Sequence, residues 1–427
     1  MALPERIGKY PVLREIGAGA TSKVYLARDP FAGREVAIKV FLFDKHADEH
    51  EERMMHKAFV AEASLAGKLN HPHIVDIFDA VVDPDRSYLV MEYVAGTTLE
   101  AHAEAPTLLP LGKVVEIIFK CVRALEYACR HGVIHRDIKP GNILLSASGE
   151  TKVGDFGASF QQKLLDTTQV SLVGSPAYMS PEQIRMEPLT HQTDIYSLGV
   201  TMYRLVTGRL PFAASTQAGL TYAILNAEPQ RPAQLRPELP ALLDSVVMRA
   251  IAKDPAARYA SWLDFGRDLS QAFAALRQAG GVLSDSERFN KLRESPFFAD
   301  FNDVALWELV RIGAWKTIAA GSVVLREGEP GDALYFLADG EVDVTLSGKL
   351  LATVKAGRCF GEMLYFSEHE QPRSTTVSAR RDIGVLEVKA AAMRAASDAC
   401  QAALNRACMR VLIERLAESN RRLAQAA

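Results

Sequence analysis

Hydrophobic positions along the chain change their period three times. Over residues ~8–100 they come in short β-type runs, Val24-Tyr25-Leu26-Ala27, Val36-Ala37-Ile38-Lys39-Val40 and Tyr88-Leu89-Val90-Met91, with polar loops between them. One charged stretch in this zone repeats Met55, Phe59, Glu62, Ala66 and Leu69 at helical spacing. Residues ~100–279 are mostly helical in pattern. The stretch Leu263 to Leu276 places apolar residues at 265, 269, 273 and 276 and stops at Gly280-Gly281, a helix terminator. From ~286 the period of a strand takes over. Leu334–Leu337 and Val342–Leu346 flank Asp339-Gly340, which predicts a hairpin turn. Val342, Val344 and Leu346 alternate with Asp343 and Thr345, as in a half-buried strand. A last helical segment runs from ~390 to the end, and no internal repeat or low-complexity tract interrupts the pattern. The changes of period divide the chain at 8–279, a linker at 280–285, and 286–427.

Composition narrows the class. A chain of 427 residues is too long for one ordinary core and predicts two or three domains. The net charge of -3 offers no global argument for a nucleic-acid or membrane partner. No apolar run approaches the ~18 residues of a membrane span, and the start, Met1-Ala2-Leu3-Pro4-Glu5-Arg6, lacks the pattern of a signal peptide. The five cysteines, Cys121, Cys129, Cys359, Cys400 and Cys408, show no CxxC spacing and read as reduced thiols. A cytoplasmic protein is expected.

The densest chemistry lies in two short loops. His135-Arg136-Asp137-Ile138-Lys139-Pro140-Gly141-Asn142 is followed, thirteen residues after Asn142, by Asp155-Phe156-Gly157. Together they supply a base, a phosphate-facing lysine, a metal-ligand amide and a metal-ligand carboxylate, the parts that phosphoryl transfer needs. Upstream, Gly17-Ala18-Gly19-Ala20-Thr21-Ser22-Lys23-Val24 reads either as a phosphate-approaching loop or as a hairpin with glycine turns. Lys39 ends an apolar strand, where an ammonium group needs a partner or a route to water. Glu62 sits on the apolar stripe of its own helix, and an ion pair with Lys39 gives both a reason.

Residues 8–273 resemble the eukaryotic-type (Hanks-type) serine/threonine protein kinases, in particular their bacterial members. The resemblance implies a bilobal fold in which Asp137 is the catalytic base and Lys139 neutralises the transferring phosphoryl group, with Lys39 and Glu62 as the paired catalytic residues. It implies ATP held by Gly17, Gly19, Val24, Ala37, Lys39, Met91, Glu92, Val94, Asn142 and Asp155, with Met91 as gatekeeper and the Glu92–Val94 backbone meeting adenine. Asn142 and Asp155 hold Mg²⁺ on this reading. Ser22 replaces the usual third glycine, a change conservative in size. Gly174 to Glu182 resembles the end of an activation segment, with Glu182 paired to Arg258 and Asp194 bracing the catalytic loop. Thr167, Thr168 and Ser171 are the phosphorylation candidates, where a phosphate would find Arg136.

The last third carries Gly328-Glu329-Pro330-Gly331-Asp332, Cys359-Phe360-Gly361-Glu362 and Pro372-Arg373-Ser374-Thr375. It resembles the cyclic-nucleotide-binding domain, a small β-roll, over about residues 288–400. The resemblance points to Gly361, Glu362, Arg373 and Ser374: Glu362 accepts from a ribose hydroxyl and Arg373 bonds the cyclic phosphate of cAMP or cGMP. Two departures stand out. The usual Gly-Glu-apolar-Ala-Leu reads Gly361-Glu362-Met363-Leu364-Tyr365, and the loop before Arg373 holds the polar Ser367-Glu368-His369-Glu370-Gln371. Cys359 reads as a small core residue. No helix-turn-helix follows the roll. The arginines of the last helix, Arg406, Arg410, Arg415, Arg421 and Arg422, read as a solvated face. Met409, Leu412, Leu416 and Leu423 are left as a lid over the base, a homodimer seam or a kinase contact.

The expectation is an α+β protein, a bilobal kinase followed by a jelly-roll-like β-roll with flanking helices. It would transfer the ATP γ-phosphoryl group to protein Ser/Thr hydroxyls, autophosphorylate, and respond to a cyclic nucleotide. The alternatives are a pseudokinase scaffold, or an active kinase whose last third is a ligand-free docking or dimerisation module.

Overall fold

The first β-type runs form one antiparallel sheet. In the computed structural model, which describes residues 3–19, 22–41, 67–82, 87–156, 176–276, 285–362 and 372–426, the chain forms two compact units, Met1–Gly281 and Val282–Ala427. The sheet holds β1 (Arg6–Ile7), β2 (Tyr10–Ala18), β3 (Ser22–Arg28), β4 (Glu35–Phe41), β5 (Ile77–Val81) and β6 (Tyr88–Glu92) in the order β1-β2-β3-β4-β6-β5. Strand alternation sends Val36, Ile38 and Val40 to a core with Tyr25, Ala27, Tyr88 and Val90. The other face must then carry Ala37 and Lys39. Register sets Val24 opposite Lys39, and Ala37 between Leu26 and Met91. Directly opposed residues share a face, so Val24, Ala37, Lys39 and Met91 all line the side away from that core.

A three-stranded sheet follows, β7 (Gly96–Thr98), β8 (Ile143–Ser146) and β9 (Thr151–Val153), with helices around it. These are α1 (Leu111–Arg130), α2 (Pro181–Ile184), α3 (His191–Thr207), α4 (Gln217–Asn226), α5 (Pro232–Leu235), α6 (Ala241–Ala250) and α7 (Trp262–Leu276). Helix α3 is buried along most of its length and crosses α6 closely at Gly199, where a Cβ would come within 2.7 Å of the Ala250 Cβ. It ends on Gly208 in the left-handed conformation at φ 73°.

The second unit opens with α8 (Asp285–Glu294) and α9 (Asp303–Ile312). Eight strands follow: β10 (Ala314–Ile318), β11 (Val323–Leu325), β12 (Ala333–Asp339), β13 (Glu341–Leu346), β14 (Lys349–Lys355), β15 (Cys359–Phe360), β16 (Thr376–Ala379) and β17 (Ile383–Lys389). They make two antiparallel sheets, β10-β17-β12-β15 and β11-β16-β13-β14. The apolar residues Leu325, Leu337, Val342, Val354, Phe360, Val377, Ile383 and Val385 fill one core cluster. Helices α10 (Ala390–Arg394) and α11 (Asp398–Ala426) close the unit.

Three expectations need correction here. Asp339-Gly340 is not a hairpin turn, because β12 and β13 belong to different sheets and the chain steps across at Gly340, φ 92°. The hairpin lies one strand later, where β13 pairs with β14 through Ser347 (φ 47°) and Gly348 (φ 80°). A register shift between Val344 and Thr345 breaks the strict alternation, and Leu346 is exposed rather than buried. The final helical segment is two helices, broken at Ser397, whose backbone N–H donates to Glu308 Oε1 at 2.8 Å.

Candidate functional site

The loop between β-type runs at 133–142 is held from below by one carboxylate. Asp194 on α3 accepts from the backbone N–H of His135 and of Arg136, each at 2.7 Å. Burial pushes the Asp194 carboxyl up, against the pull of these donors and of His135. His135 is fully buried; its Nε2 meets the Gly154 carbonyl at 2.9 Å and its Nδ1 accepts from the Asp137 N–H at 3.3 Å. The ring therefore carries its proton on Nε2 and ties the first loop to the second. Phe156 packs on the same ring at 4.6 Å. Arg136 and Asp155 both adopt positive φ, 67° and 62°, a conformation non-glycine residues keep only where the surroundings impose it.

These constraints bring the predicted polar residues together. Asp137 Oδ2 accepts from Lys139 Nζ at 2.6 Å and from Asn142 Nδ2 at 3.0 Å, while Asn142 Nδ2 also reaches the Asp137 carbonyl at 2.8 Å. The Gly154 N–H donates to the Asn142 carbonyl at 2.9 Å, placing Asn142 beside Asp155. Lys39 donates to Asp155 Oδ1. Although its side chain is nearly half exposed, Asp155 is partly desolvated by the cleft, which pulls its carboxyl up; the Lys39 ammonium outweighs this and holds it below the ordinary carboxylate range. Glu62 lies outside the described residues, as do Thr167, Thr168, Ser171, Gly174 and Ser175.

Asn142 and Asp155 suit a Mg²⁺ ion, which takes one or two protein ligands and completes its shell with water and substrate phosphates. Among the described residues no group of three or more His, Cys, Asp or Glu forms an alternative metal cage. A Cβ at Gly17 or Gly19 would meet only ordinary contacts at 3.7 Å. The packing there does not demand glycine. Met91 and Glu92 end β6, and Glu92 pairs with Lys152 at 2.7 Å.

Below the loops, Glu182 and Arg258 form the anticipated pair, bidentate at 2.7 and 2.8 Å and almost fully buried. Burial pushes the Glu182 carboxyl up, and Arg258 more than reverses that, leaving it below its ordinary value. Gln183 Nε2 donates to the Arg136 carbonyl at 2.9 Å, joining this helix to the loop of residues 135–142.

In the second unit, Gly361 and Gly331 wrap Arg373. A Cβ at Gly331 would sit 2.2 Å from the Arg373 Nε, and one at Gly361, φ 78°, would lie 2.9 Å from Nη1. Arg373 donates to the carbonyls of Gly361 at 3.2 Å and Ala333 at 2.8 Å. Burial pulls its guanidinium below the ordinary value, as expected for a cation facing dipoles rather than a full counter-charge. Glu362, 1% exposed, does not pair with Arg373; Arg415 of α11 donates to its Oε1. Among the described residues, Glu362 Oε2 and Arg373 Nε are buried without a hydrogen-bond partner. Ser374 is exposed, and residues 363–371 lie outside the described part. Cys359 is fully buried against Cys408, whose thiol, together with burial, pushes it well above its ordinary value.

The solvated-face reading of α11 holds for Arg406, which is exposed, and needs correction at two positions; the side chains of Arg421, Arg422 and Leu423 lie outside the described residues. Arg410 pairs with Asp300 and donates to the carbonyls of Pro296 and Phe297 at 3.1 and 3.0 Å, and Arg415 meets Glu362. The apolar Met409, Leu412 and Leu416 are the exposed ones. The buried stripe is Cys400, Leu404, Cys408 and Val411. Arg415 continues it one turn further on, and that position was the signal that the arginine faces inward.

The fold and the cleft define a protein kinase domain, followed by a β-roll. The family described as protein kinase domain matches residues 10–263, and the family described as cyclic nucleotide-binding domain matches residues 315–399. The chain belongs to the protein kinase family. It is similar to the serine/threonine-protein kinase PrkC of Bacillus subtilis, 38% identical over 295 residues covering 68% of this chain and 45% of that protein. It is also similar to the serine/threonine-protein kinase PknB of Mycolicibacterium smegmatis, 35% identical over 309 residues, 69% of this chain and 48% of that one. The chain thus spans less than half the length of these relatives. Among the described residues no helix is long and apolar enough to cross a membrane.

Proposed function

We propose that the chain is an ATP- and Mg²⁺-dependent serine/threonine protein kinase, acting in the cytoplasm and governed by a cyclic nucleotide bound to its C-terminal unit. The observation that carries the first part is the Asp137 carboxylate, fixed between Lys139 Nζ and Asn142 Nδ2 beside the Lys39–Asp155 pair. On this reading Asp137 orients the acceptor hydroxyl and takes its proton as the bond to phosphorus forms. Lys139, hydrogen-bonded to the base, offsets negative charge on the group in transfer. Lys39 steadies the phosphates of ATP, and Val24, Ala37, Met91 and the Glu92–Val94 backbone enclose the base. Mg²⁺, when bound at Asn142 and Asp155, supplies charge neutralisation of the phosphate oxygens. Thr167, Thr168 and Ser171 are the proposed autophosphorylation sites. The domain limits that fit are 8–279 and 286–427, joined by 280–285.

The second part rests on two buried, unpartnered polar atoms of opposite character, Glu362 Oε2 and Arg373 Nε. Such atoms are costly unless something supplies the missing bonds. A ribose hydroxyl and a cyclic phosphate are such a pair of complements.

Labelled ATP with Mg²⁺, a generic basic protein and the full chain test the kinase reading. Transfer to serine and threonine, reduced by orders of magnitude in Asp137→Asn, is expected, with phosphate mapped by mass spectrometry between residues 157 and 174. No transfer by the unaltered chain would point to a pseudokinase scaffold instead. Calorimetry with cAMP and cGMP tests the second part; no saturation by either leaves the last third as a docking module.

A further inference from the structure

Arg204 ties together two segments that reach the cleft from different parts of the chain. It stands on α3 and donates Nη2 to Glu100 Oε1 at 2.8 Å and Nη1 to the Tyr178 hydroxyl. Glu100 belongs to the turn Leu99–His102, which packs against the turn Pro140–Asn142 at the end of the loop that carries Asp137. Tyr178 closes the turn Pro176–Tyr178, held to α3 by Ser197 Oγ, which donates to the Tyr178 carbonyl at 2.8 Å. The end of α3 lies close to the residues that follow Glu100: a Cβ at Gly208 would come within 2.8 Å of the Ala105 nitrogen. The start of the same helix holds the Asp137 loop through Asp194. Asp194 and Arg204 are ten residues apart by number. That is about 15 Å of helix, the length of about four residues of extended peptide. A chain offering its hydroxyl to Asp137 thus has Arg204 within reach of its flanking residues.

The two halves of the ion pair are held unequally. The Arg204 side chain is 16% exposed and is oriented by the buried Tyr178, whereas the Glu100 side chain is 50% exposed. The cation is fixed and its carboxylate partner is loose. An ion pair open to water on one side is weak and can be exchanged, and a guanidinium fork receives any carboxylate that reaches it. We propose that Arg204 is a specificity-determining residue, selecting protein substrates that carry an aspartate or glutamate within about four residues of the acceptor serine or threonine. The substrate carboxylate takes the place of Glu100 on the guanidinium, and Glu100 occupies the subsite when no substrate is there. The inference rests on the kinase reading of the cleft and adds to it the chemical class of the substrate.

The test uses the full chain with labelled ATP and Mg²⁺ and a set of peptides. Each has one serine in a neutral background, with Asp, Ala or Lys at a single position up to about four residues to either side. In the unaltered chain, Asp at one or more positions should raise kcat/KM about tenfold over Ala, mostly through KM, the size of one charge-assisted hydrogen bond. Lys at the same position should lower it. Arg204→Gln should shrink the Asp-to-Ala ratio to about twofold, taken within that variant so that any general loss cancels. Arg204→Lys should restore part of the ratio. Arg204→Glu, whose carboxylate can still accept from the Tyr178 hydroxyl, should turn the preference to Lys at that position. Glu100→Gln removes the competing carboxylate and should lower KM for the Asp peptide by about two- to threefold. An unaltered chain that phosphorylates the set without favouring Asp anywhere, or an Asp preference kept in both Arg204→Gln and Arg204→Glu, overturns the assignment and leaves the kinase reading standing. Loss of the preference in all three Arg204 variants without reversal marks a merely structural tie and overturns it as well. No transfer to any peptide of the set or to a basic protein overturns the kinase reading, and the subsite with it.

Discussion

Single side chains in the cleft have separable duties, and substitutions should separate them. Asp137→Asn keeps the hydrogen bonds to Lys139 and Asn142 in outline but removes the proposed proton acceptor. It should leave ATP binding nearly intact and lower turnover by about two to four orders of magnitude. Asp155→Asn removes the carboxylate that Lys39 meets and that would bind the metal, so Mg²⁺-dependent ATP affinity should fall as well. Titrating ATP against each variant checks this; equal ATP affinity in both would show the roles to be misassigned. The buried Glu182–Arg258 pair tests structure rather than chemistry. Arg258→Met strands a buried carboxylate and should lower stability by roughly 3–5 kcal/mol, read by denaturant unfolding. Glu182 sits below its ordinary value when folded, so its ionised form favours the native state. That contribution is complete above the unfolded value and is lost as pH falls through the folded one. The stability gap between the unaltered chain and Glu182→Gln should therefore narrow on acidification below about pH 5.

Elements depend on a few backbone positions that composition alone does not rank. Gly340 and Gly348 both have positive φ, 92° and 80°, but their surroundings differ. A Cβ at Gly340 would meet Ile383 Cγ2 at 2.6 Å and the Asp382 carbonyl at 2.8 Å, whereas one at Gly348 meets nothing within 4 Å. Gly348→Ala should cost about 1–2 kcal/mol, the strain of the left-handed conformation alone. Gly340→Ala adds a clash with backbone and should cost roughly twice that or more. Thermal unfolding of the two variants should rank them in that order. The difference is one of topology: Gly348 turns a hairpin in solvent, and Gly340 carries the chain between two sheets against β17.

At the scale of the whole molecule, the proposed linker of residues 280–285 has a flexible-coil span of about 12–15 Å. It keeps one unit at an effective concentration on the order of millimolar for the other. A contact worth only ~4 kcal/mol would then be about half formed. A cyclic nucleotide can shift such a balance only through its differential affinity for the two states. A tenfold preference, ~1.4 kcal/mol, yields a graded response. The kinase rate should change several-fold on addition of cAMP or cGMP, with release of inhibition as the favoured sign. Arg373→Ala should abolish the change, because the cyclic phosphate loses its counter-charge. Initial rates with and without each nucleotide decide it.

Much of the site was legible in the sequence because its chemistry is local. Asp137, Lys139 and Asn142 fall within six residues, so the sequence already places them in one loop, although Asp194 and Gly154 from distant segments fix its shape. The α+β class was legible for the same reason, since strand and helix periods are properties of neighbouring residues. What the periods could not supply was pairing between distant segments. Asp339-Gly340 looks like a hairpin, and only sheet membership shows that it is a crossing. Lys39 and Asp155 are 116 residues apart and meet only through the fold. Arg415 looked like one of several solvated arginines, since a charge on a helix is solvated by default. The tertiary structure decided otherwise: it buries Glu362 53 residues away, and a buried carboxylate draws a cation from whichever element passes it.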